Sequence, residues 1–316
     1  MGTQLIHIAL SQKNKSILAG LFVTGLWATS WVLIKFGLKD MPPILFVGLR
    51  YTVAFLCLLP FYFHLIQKKK VQPIPNSLVY KLLLLGLLLY TITQGANYIG
   101  LSRLPAITTN LISSFVSLIV ALLGIVLIKE KPAGIQWLGL MLVMGGTWVY
   151  FAGNTQSTTD WVGILIVFGG VISSALAVIL GRSINQYSGL HPLQITTLSM
   201  GSGGVLLLLI GLMVETMPAS FSLMSIAIIL WLAVVNTAFA FTVWNWTLQS
   251  LTAVESSVIN SAMQIEIPIM AVLFLNETLN WRTFFGLVLA AAGIVTVQVG
   301  KTWMNKLHYQ PNHLNR

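Results

Sequence analysis

Ten apolar stretches of about twenty residues fill this chain, and the last five repeat the pattern of the first five. A stretch of that length is what an α-helix needs to cross a hydrocarbon core of about 30 Å. The hydrophobic pattern predicts spans over 17–37, 43–63, 80–100, 104–128, 134–152, 161–181, 192–214, 223–247, 252–275 and 281–300. Connections are short. The longest polar ones run from Gln67 to Asn76 and from Gly153 to Asp160, which leaves no room for a soluble domain. The expected layout is a tail at 1–16, a five-helix unit at 17–152, a second at 161–300 and a tail at 301–316.

An odd number of helices per unit inserts the second unit upside down relative to the first. The expected fold is therefore an all-α integral membrane protein, with ten transmembrane helices as two inverted five-helix repeats. Secondary transporters commonly use that plan. Composition agrees: 56% of residues are hydrophobic and 8% charged, against about a quarter charged in a soluble domain. The net charge of +10 is no nucleic-acid signal, because the basic residues sit mainly in short loops. With the N-terminus inside, twelve fall on the inner side: Lys13, Lys15, Lys68, Lys69, Lys70, Lys81, Lys129, Lys131, Arg182, Lys301, Lys306 and Arg316. Four fall outside, namely Lys35, Lys39, Arg103 and Arg282. That bias predicts a multi-pass protein of the cell membrane with both termini cytoplasmic. Residues 1–16 read as a cytoplasmic tail, with no cleavable leader. The single cysteine, Cys57, permits neither an intrachain disulfide nor a cysteine metal site.

The repeat is legible at an offset of 147. Glu130 pairs with Glu277, Gly139 with Gly286, Gly146 with Gly293, Leu101 with Leu248, Leu104 with Leu251, Ala106 with Ala253, and Lys35 with Arg182. The offset drifts to 149 where Pro43 matches Pro192 and Leu49 matches Leu198. Coincident glutamate and glycine positions set this apart from chance likeness between apolar helices.

These residues also carry a family resemblance. Trp27-Ala-Thr-Ser-Trp-Val-Leu-Ile-Lys35 resembles the first-helix signature of EamA-type members of the drug/metabolite transporter superfamily. Leu49-Arg50 resembles that family's second-helix arginine. Phe274-Leu275-Asn276-Glu277 followed by Gly286 and Gly293 resembles its repeat ending, which Glu130, Gly139 and Gly146 duplicate in the first half. The resemblance covers about residues 17 to 300 and implies ten helices, two inverted repeats and a central substrate cavity. The chain departs from the family at Ser117 and Gln264, where many members carry a mid-helix proline; its own ninth-span proline is Pro268.

Two polar stripes stand out. Asn110, Ser113, Ser114 and Ser117 fall on one helix face, and Ser257, Asn260, Ser261 and Gln264 repeat that spacing as their partners. Lipid offers such groups no hydrogen bonds, so the stripes face protein or water. They line a shared pathway on one reading and serve helix packing on the other. Glu266 is the one acidic residue deep in a span, a functional candidate by default. It either carries a substrate amine or a coupling proton, or forms a buried pair with a cation such as Arg50. Its repeat partner is the apolar Ile119, so its role is asymmetric. Trp27 and Trp31 are further pathway candidates, with Gln94, Asn97 and Asn236 in a second tier. Tyr98, Trp244 and Trp246 are aromatics that gate a cavity or mark the membrane interface. Thr252 and Glu255 fit a helix capping box, and Glu130 and Glu277 precede helices whose dipoles favour negative charge.

No phosphate loop, metal-ligand cluster or hydrolytic motif is present in the sequence, so no cofactor or metal is expected. The expected activity is that of a secondary transporter, not an enzyme, exporting small polar or amphipathic metabolites such as amino acids by alternating access. Its expected partners are the small-molecule substrate and the lipid bilayer, with either a coupling proton or the solute's own gradient as the energy source; no nucleic acid is expected. A multidrug exporter of the same fold is the alternative, and a membrane-embedded enzyme acting on lipid-linked substrates a remoter one.

Overall fold

The computed structural model describes residues 2–68, 72–127, 134–153, 160–218, 220–247, 251 and 259–308. All regular structure among them is helical. In chain order the helices are α1 (Gly2–Gly37), α2 (Pro43–Gln67), α3 (Asn76–Gly86), α4 (Gly95–Arg103), α5 (Ala106–Ser113), α6 (Val116–Leu127), α7 (Gly134–Gly153) and α8 (Trp161–Tyr187). They continue as α9 (Pro192–Val214), α10 (Leu223–Ala233), α11 (Ala240–Thr247), α12 (Met263–Leu275) and α13 (Trp281–His308). Seven helical stretches are long and apolar enough to cross a membrane, and Ala106–Val120, Ile259–Leu275 and Trp281–Val297 are shorter apolar helices. The outer surface of the bundle matches this, with Leu18, Phe61, Trp148, Met213 and Leu223 all largely exposed. This is a multi-pass membrane protein.

Helix starts and stops follow local chemistry. Pro43 and Pro192 occupy first-turn positions, where the missing N–H is an orphan anyway. Asp160 and Ser222 cap α8 and α10 by accepting from the Gly163 and Ser225 amides. Asn276 ends α12 in the left-handed region, at φ 54°, a conformation asparagine tolerates better than most residues. That turn sends the Glu277 N–H back to the Ala271 carbonyl and aims the glutamate side chain away from its own helix.

Three features depart from the sequence pattern. The stretch expected as one span at 104–128 divides at Ser114–Phe115 into α5 and α6. There the Ser113 and Ser114 hydroxyls donate to the Thr109 and Leu111 carbonyls, a back-bonding that bends helices. Helix α1 begins at Gly2, so residues expected as a tail continue the first helix. Its polar Gln and Lys residues are adequate helix formers and no proline interrupts them. Finally, the third and eighth spans each contain a π-helical stretch, Leu87–Gln94 and Val234–Phe239, whose starts lie 234 − 87 = 147 residues apart. In each, a threonine hydroxyl donates to the carbonyl five residues back: Thr93 to Leu88 and Thr237 to Leu232.

The two most extensive helix pairings join repeat counterparts. Helices α7 and α13 meet through glycines. A Cβ at Gly146 would sit 2.5 Å from the Gly286 carbonyl oxygen, and one at Gly139 2.7 Å from that of Gly293. Backbones this close exclude any side chain, which is why both helices place glycine there. Because 139 faces 293 while 146 faces 286, the helices run antiparallel. Helices α2 and α9 pair likewise, with Gly48 against Leu208 and Gly204 against Tyr51. Phe46, Tyr98, Leu111, Met200 and Leu232 form the heart of the main buried cluster, where α2, α4, α5, α9 and α10 converge.

Candidate functional site

Four polar centres lie within the bundle. The first is Arg50, seven residues into α2 and only 6% exposed. Its Nη1 donates to the Tyr98 hydroxyl at 3.0 Å, its Nε and Nη2 donate to Thr237 Oγ1 at 3.3 and 3.2 Å, and its guanidinium lies 5.3 Å from the Tyr51 ring centre. The π-helical turn at Val234–Phe239 makes this possible, since it is what turns Thr237 inward with its own proton committed to Leu232. Arg50 thus ties the second, third and eighth spans together.

The second centre joins the first span to the eighth. Asn236, fully buried, donates through Nδ2 to the Leu26 carbonyl and to Ser30 Oγ at 2.8 Å. Trp27 Nε1 returns a bond to the Asn236 carbonyl at 3.0 Å, with its ring against Phe241 and Trp244. Trp31, one turn on, packs against the main buried cluster. Gln94 and Asn97 are half-buried at the end of the first π-helical stretch and the start of α4.

The third centre is Glu266 in the first turn of α12. Its Oε1 lies 3.1 Å from Thr24 Oγ1 of α1, and its Oε2 is sealed from solvent without a hydrogen-bond partner. Arg50 and Glu266 are therefore held by different partners, and no ion pair joins them. The expectation of a mutual charge pair finds no contact here.

The stripes come out differently from each other. On the first, Asn110 and Ser114 are buried and Ser113 partly so. Both serine hydroxyls bond their own helix, while Asn110 Nδ2 is buried without a partner. Ser117 lies in α6, and its side chain is outside the described residues. On the second stripe Ser257 is outside the described residues, as are Thr252 and Glu255. Asn260 is exposed. Ser261 and Gln264 line a crevice of about 770 Å³ between α12 and α13, with Thr296 and otherwise apolar neighbours such as Ile265, Phe284 and Val288. That crevice takes no residue of the first stripe. Glu266 points instead toward α1, the opposite side from Gln264 expected for an ideal helix.

The fourth centre is one end of the bundle, where carboxylates stitch the halves together. Glu215, just past α9, accepts from the Ile44 and Leu45 amides at 3.0 and 2.7 Å and so caps α2. Glu277 accepts from the Ala106 and Ile107 amides at 2.6 and 3.0 Å and caps α5. Lys35 Nζ donates to the Leu104 carbonyl at 2.6 Å beside it. Asp40 accepts from the Ser222 and Ser225 hydroxyls, and Arg103 pairs with Asp160 at 2.7 Å. The Gly163 amide and then Arg103 hold the Asp160 carboxyl below the usual carboxylate range. At the opposite end, Gln194 donates to the Gln72 carbonyl at 3.0 Å.

Sequence reasoning placed Glu277 before its own following helix. The structure gives that helix, α13, Asn280 as its cap, and hands Glu277 to the other half. Glu215, Thr24 and Thr237 were not singled out. A signal existed for Glu215: like Glu277, it closes a span at the same end. Thr237 is adjacent to the flagged Asn236. Nothing in the pattern distinguishes Thr24 from the other hydroxyls of α1.

Comparison with known proteins agrees with this layout. The EamA-like transporter family matches residues 14–152 and again 161–298. The uncharacterized transporter YoaV of Bacillus subtilis is 24% identical over 288 residues, covering 89% of this chain and 95% of that one. The uncharacterized inner membrane transporter YedA of Escherichia coli is 24% identical over 286 residues, covering 87% and 88%. One solved crystal structure superposes with a TM-score of 0.64 at 15% identity, covering 94% of this chain and 99% of that one, a likeness of fold.

Proposed function

The chain belongs to the EamA-like transporter family, and on that premise we propose that it is a secondary transporter exporting small polar or amphipathic metabolites, amino acids among them, by alternating access. The seven long spans and three shorter apolar helices then supply ten crossings. The antiparallel pairing of repeat counterparts, α2 with α9 and α7 with α13, supports two inverted halves. The bias of Lys and Arg supports a cytoplasmic position for both termini. The end stitched by Glu215, Glu277 and Lys35 is then the outer face, and it is closed.

The observation that carries the reading is Glu266. A carboxyl in the middle of a span is costly unless it works. This one sits between α1 and α12, one helix from each half, at about the depth where an alternating-access site belongs. Opening the outer face would release the caps on α2 and α5, and closing the inner face would bring α12 against its counterparts. Arg50 is a fixed brace in this scheme, and Glu266 is the site where charge enters the cycle.

A second reading has its own support. The crevice between α12 and α13 is largely apolar and opens on the lipid-facing side of α12, which suits a lipophilic drug. The test is counterflow in liposomes of purified protein, with labelled amino acids in one set and a lipophilic cationic dye in another. Accumulation of amino acids alone supports the first reading. Accumulation of the dye alone replaces it with the second.

A further inference from the structure

Building on the reading of Glu266 as the site of charge entry, we propose that Thr24 is its positioning residue. The Thr24 hydroxyl would switch between the Leu21 carbonyl and the Glu266 carboxylate as that carboxyl gains and loses a proton. The geometry is specific. Thr24 is fully buried on α1, with its Oγ1 2.9 Å from the Leu21 carbonyl oxygen and 3.1 Å from Glu266 Oε1. A hydroxyl has one proton to donate, and a carbonyl can only accept. The two contacts can therefore both be hydrogen bonds only when Glu266 is the donor to Thr24. A protonated Glu266 gives its O–H to Oγ1, and Thr24 keeps its own proton on Leu21.

When Glu266 ionises, its O–H bond breaks. The electron pair stays on the carboxylate, and the proton leaves to water or to a basic substrate group admitted to the site. No covalent bond of Thr24 changes. Its hydroxyl rotates from Leu21, whose carbonyl retains its helical N–H partner, onto the carboxylate. The heavy atoms need not move for this step. Oε2 has no partner, so Thr24 is the one hydrogen-bond donor the structure gives this carboxylate among the described residues.

Among the described residues no countercharge competes for the role. Helix α5, packed against α12, carries no titratable side chain, and Glu266 is the only one on α12. On α1, Lys15 lies nine residues from Thr24, Lys13 and Lys35 eleven and His7 seventeen, about 13, 16 and 25 Å along the helix. Lys35 is engaged with Leu104. On α13, Arg282 is in the first turn, while Lys301, Lys306 and His308 are in the last turns. The switch also has somewhere to report: Thr24 lies one turn before Trp27, which ties α1 to the Asn236 carbonyl of the eighth span.

Infrared difference spectra of the full-length protein in liposomes, recorded through a pH titration, test this without relying on transport. The band of the protonated carboxyl is assigned by its loss in Glu266→Gln. In Thr24→Val and Thr24→Ala its titration midpoint should move up by about one pH unit, since the ionised form loses a charge-assisted bond. Thr24→Ser should return it to the wild-type value. An unmoved midpoint in both hydroxyl-free variants, or a shift in Thr24→Ser as large as theirs, would overturn the inference. If these spectra behave as expected while Glu266→Gln transports like wild type, the transport reading of Glu266 fails and the switch stands.

Discussion

The seam between α7 and α13 and the junction between α1 and α12 join the two halves by opposite means. The seam obeys the internal repeat. Gly139 and Gly146 face Gly293 and Gly286, each glycine meets the counterpart of its neighbour, and backbone packs on backbone. The junction breaks the repeat. Its central carboxyl, Glu266, corresponds to apolar Ile119, and its partner Thr24 has no equivalent contact among the described residues. Symmetric contacts suit holding two repeated units together, because whatever favours the interface is counted twice. An asymmetric ionisable contact suits a step that must occur once per cycle. On the proposed function, the difference separates what keeps the bundle assembled from what carries charge.

The largest expected effect falls on the seam. Gly146→Leu should cost about 3 kcal/mol or more, because its side chain has only the Gly286 and Ala290 backbone to enter. Gly145→Ala, whose Cβ would find Leu289 at an ordinary 3.8 Å, should leave the thermal midpoint in detergent unchanged. Equal losses at both positions would mean the seam is not the close contact described. Next comes the stitched end. Glu277→Ala orphans two amides of α5 and should cost about 2 kcal/mol, with Glu277→Gln milder. In a Cys57→Ala background, Leu104→Cys should react faster with an impermeant maleimide once Glu277 is removed; an unchanged rate would deny Glu277 a part in closing that face.

Smaller in stability but sharper for the comparison is the carboxyl itself. Glu266→Gln should change stability by less than about 1 kcal/mol, and adding Ile119→Glu should not restore the pH response, since Ile119 packs with Leu104, Ile112, Val167 and Val171 rather than with Thr24. Restoration would show that the site tolerates either half. The smallest effect belongs to Asp160. Its folded pKa is depressed, so its contribution is full above the unfolded value of 3.8 and disappears as pH falls through the lower folded value. Asp160 is only half-buried, so Asp160→Asn should lower the melting temperature slightly near neutral pH, and by less and less as the pH falls through the depressed folded value.

Much of this was legible in the sequence and the rest was not, for physical reasons. The apolar stretches foretold the helices, because lipid tolerates few alternatives; the glycine register marked the repeat, but which helices those glycines join is set by tertiary packing. The π-helical stretches were invisible, since one extra residue per turn leaves no mark on an apolar run. Glu277 was found but assigned to the wrong helix, because which helix end a loop carboxylate reaches depends on tertiary packing and on the left-handed turn at Asn276. Glu266 stood out by its cost in lipid, yet Arg50 as its partner did not survive the packing of Tyr98 and Thr237 around the guanidinium. Thr24 is the kind of residue that sequence leaves among many others until a carboxyl is found against it.

The central claim is that Glu266 carries charge through the transport cycle. The direct measurement is efflux of a labelled amino acid from liposomes of purified protein, with and without an imposed pH gradient, for wild type and Glu266→Gln. The account predicts wild-type transport that follows the gradient and a variant that binds substrate but no longer responds to pH. Transport by the variant at the wild-type rate and with the wild-type pH dependence would contradict it.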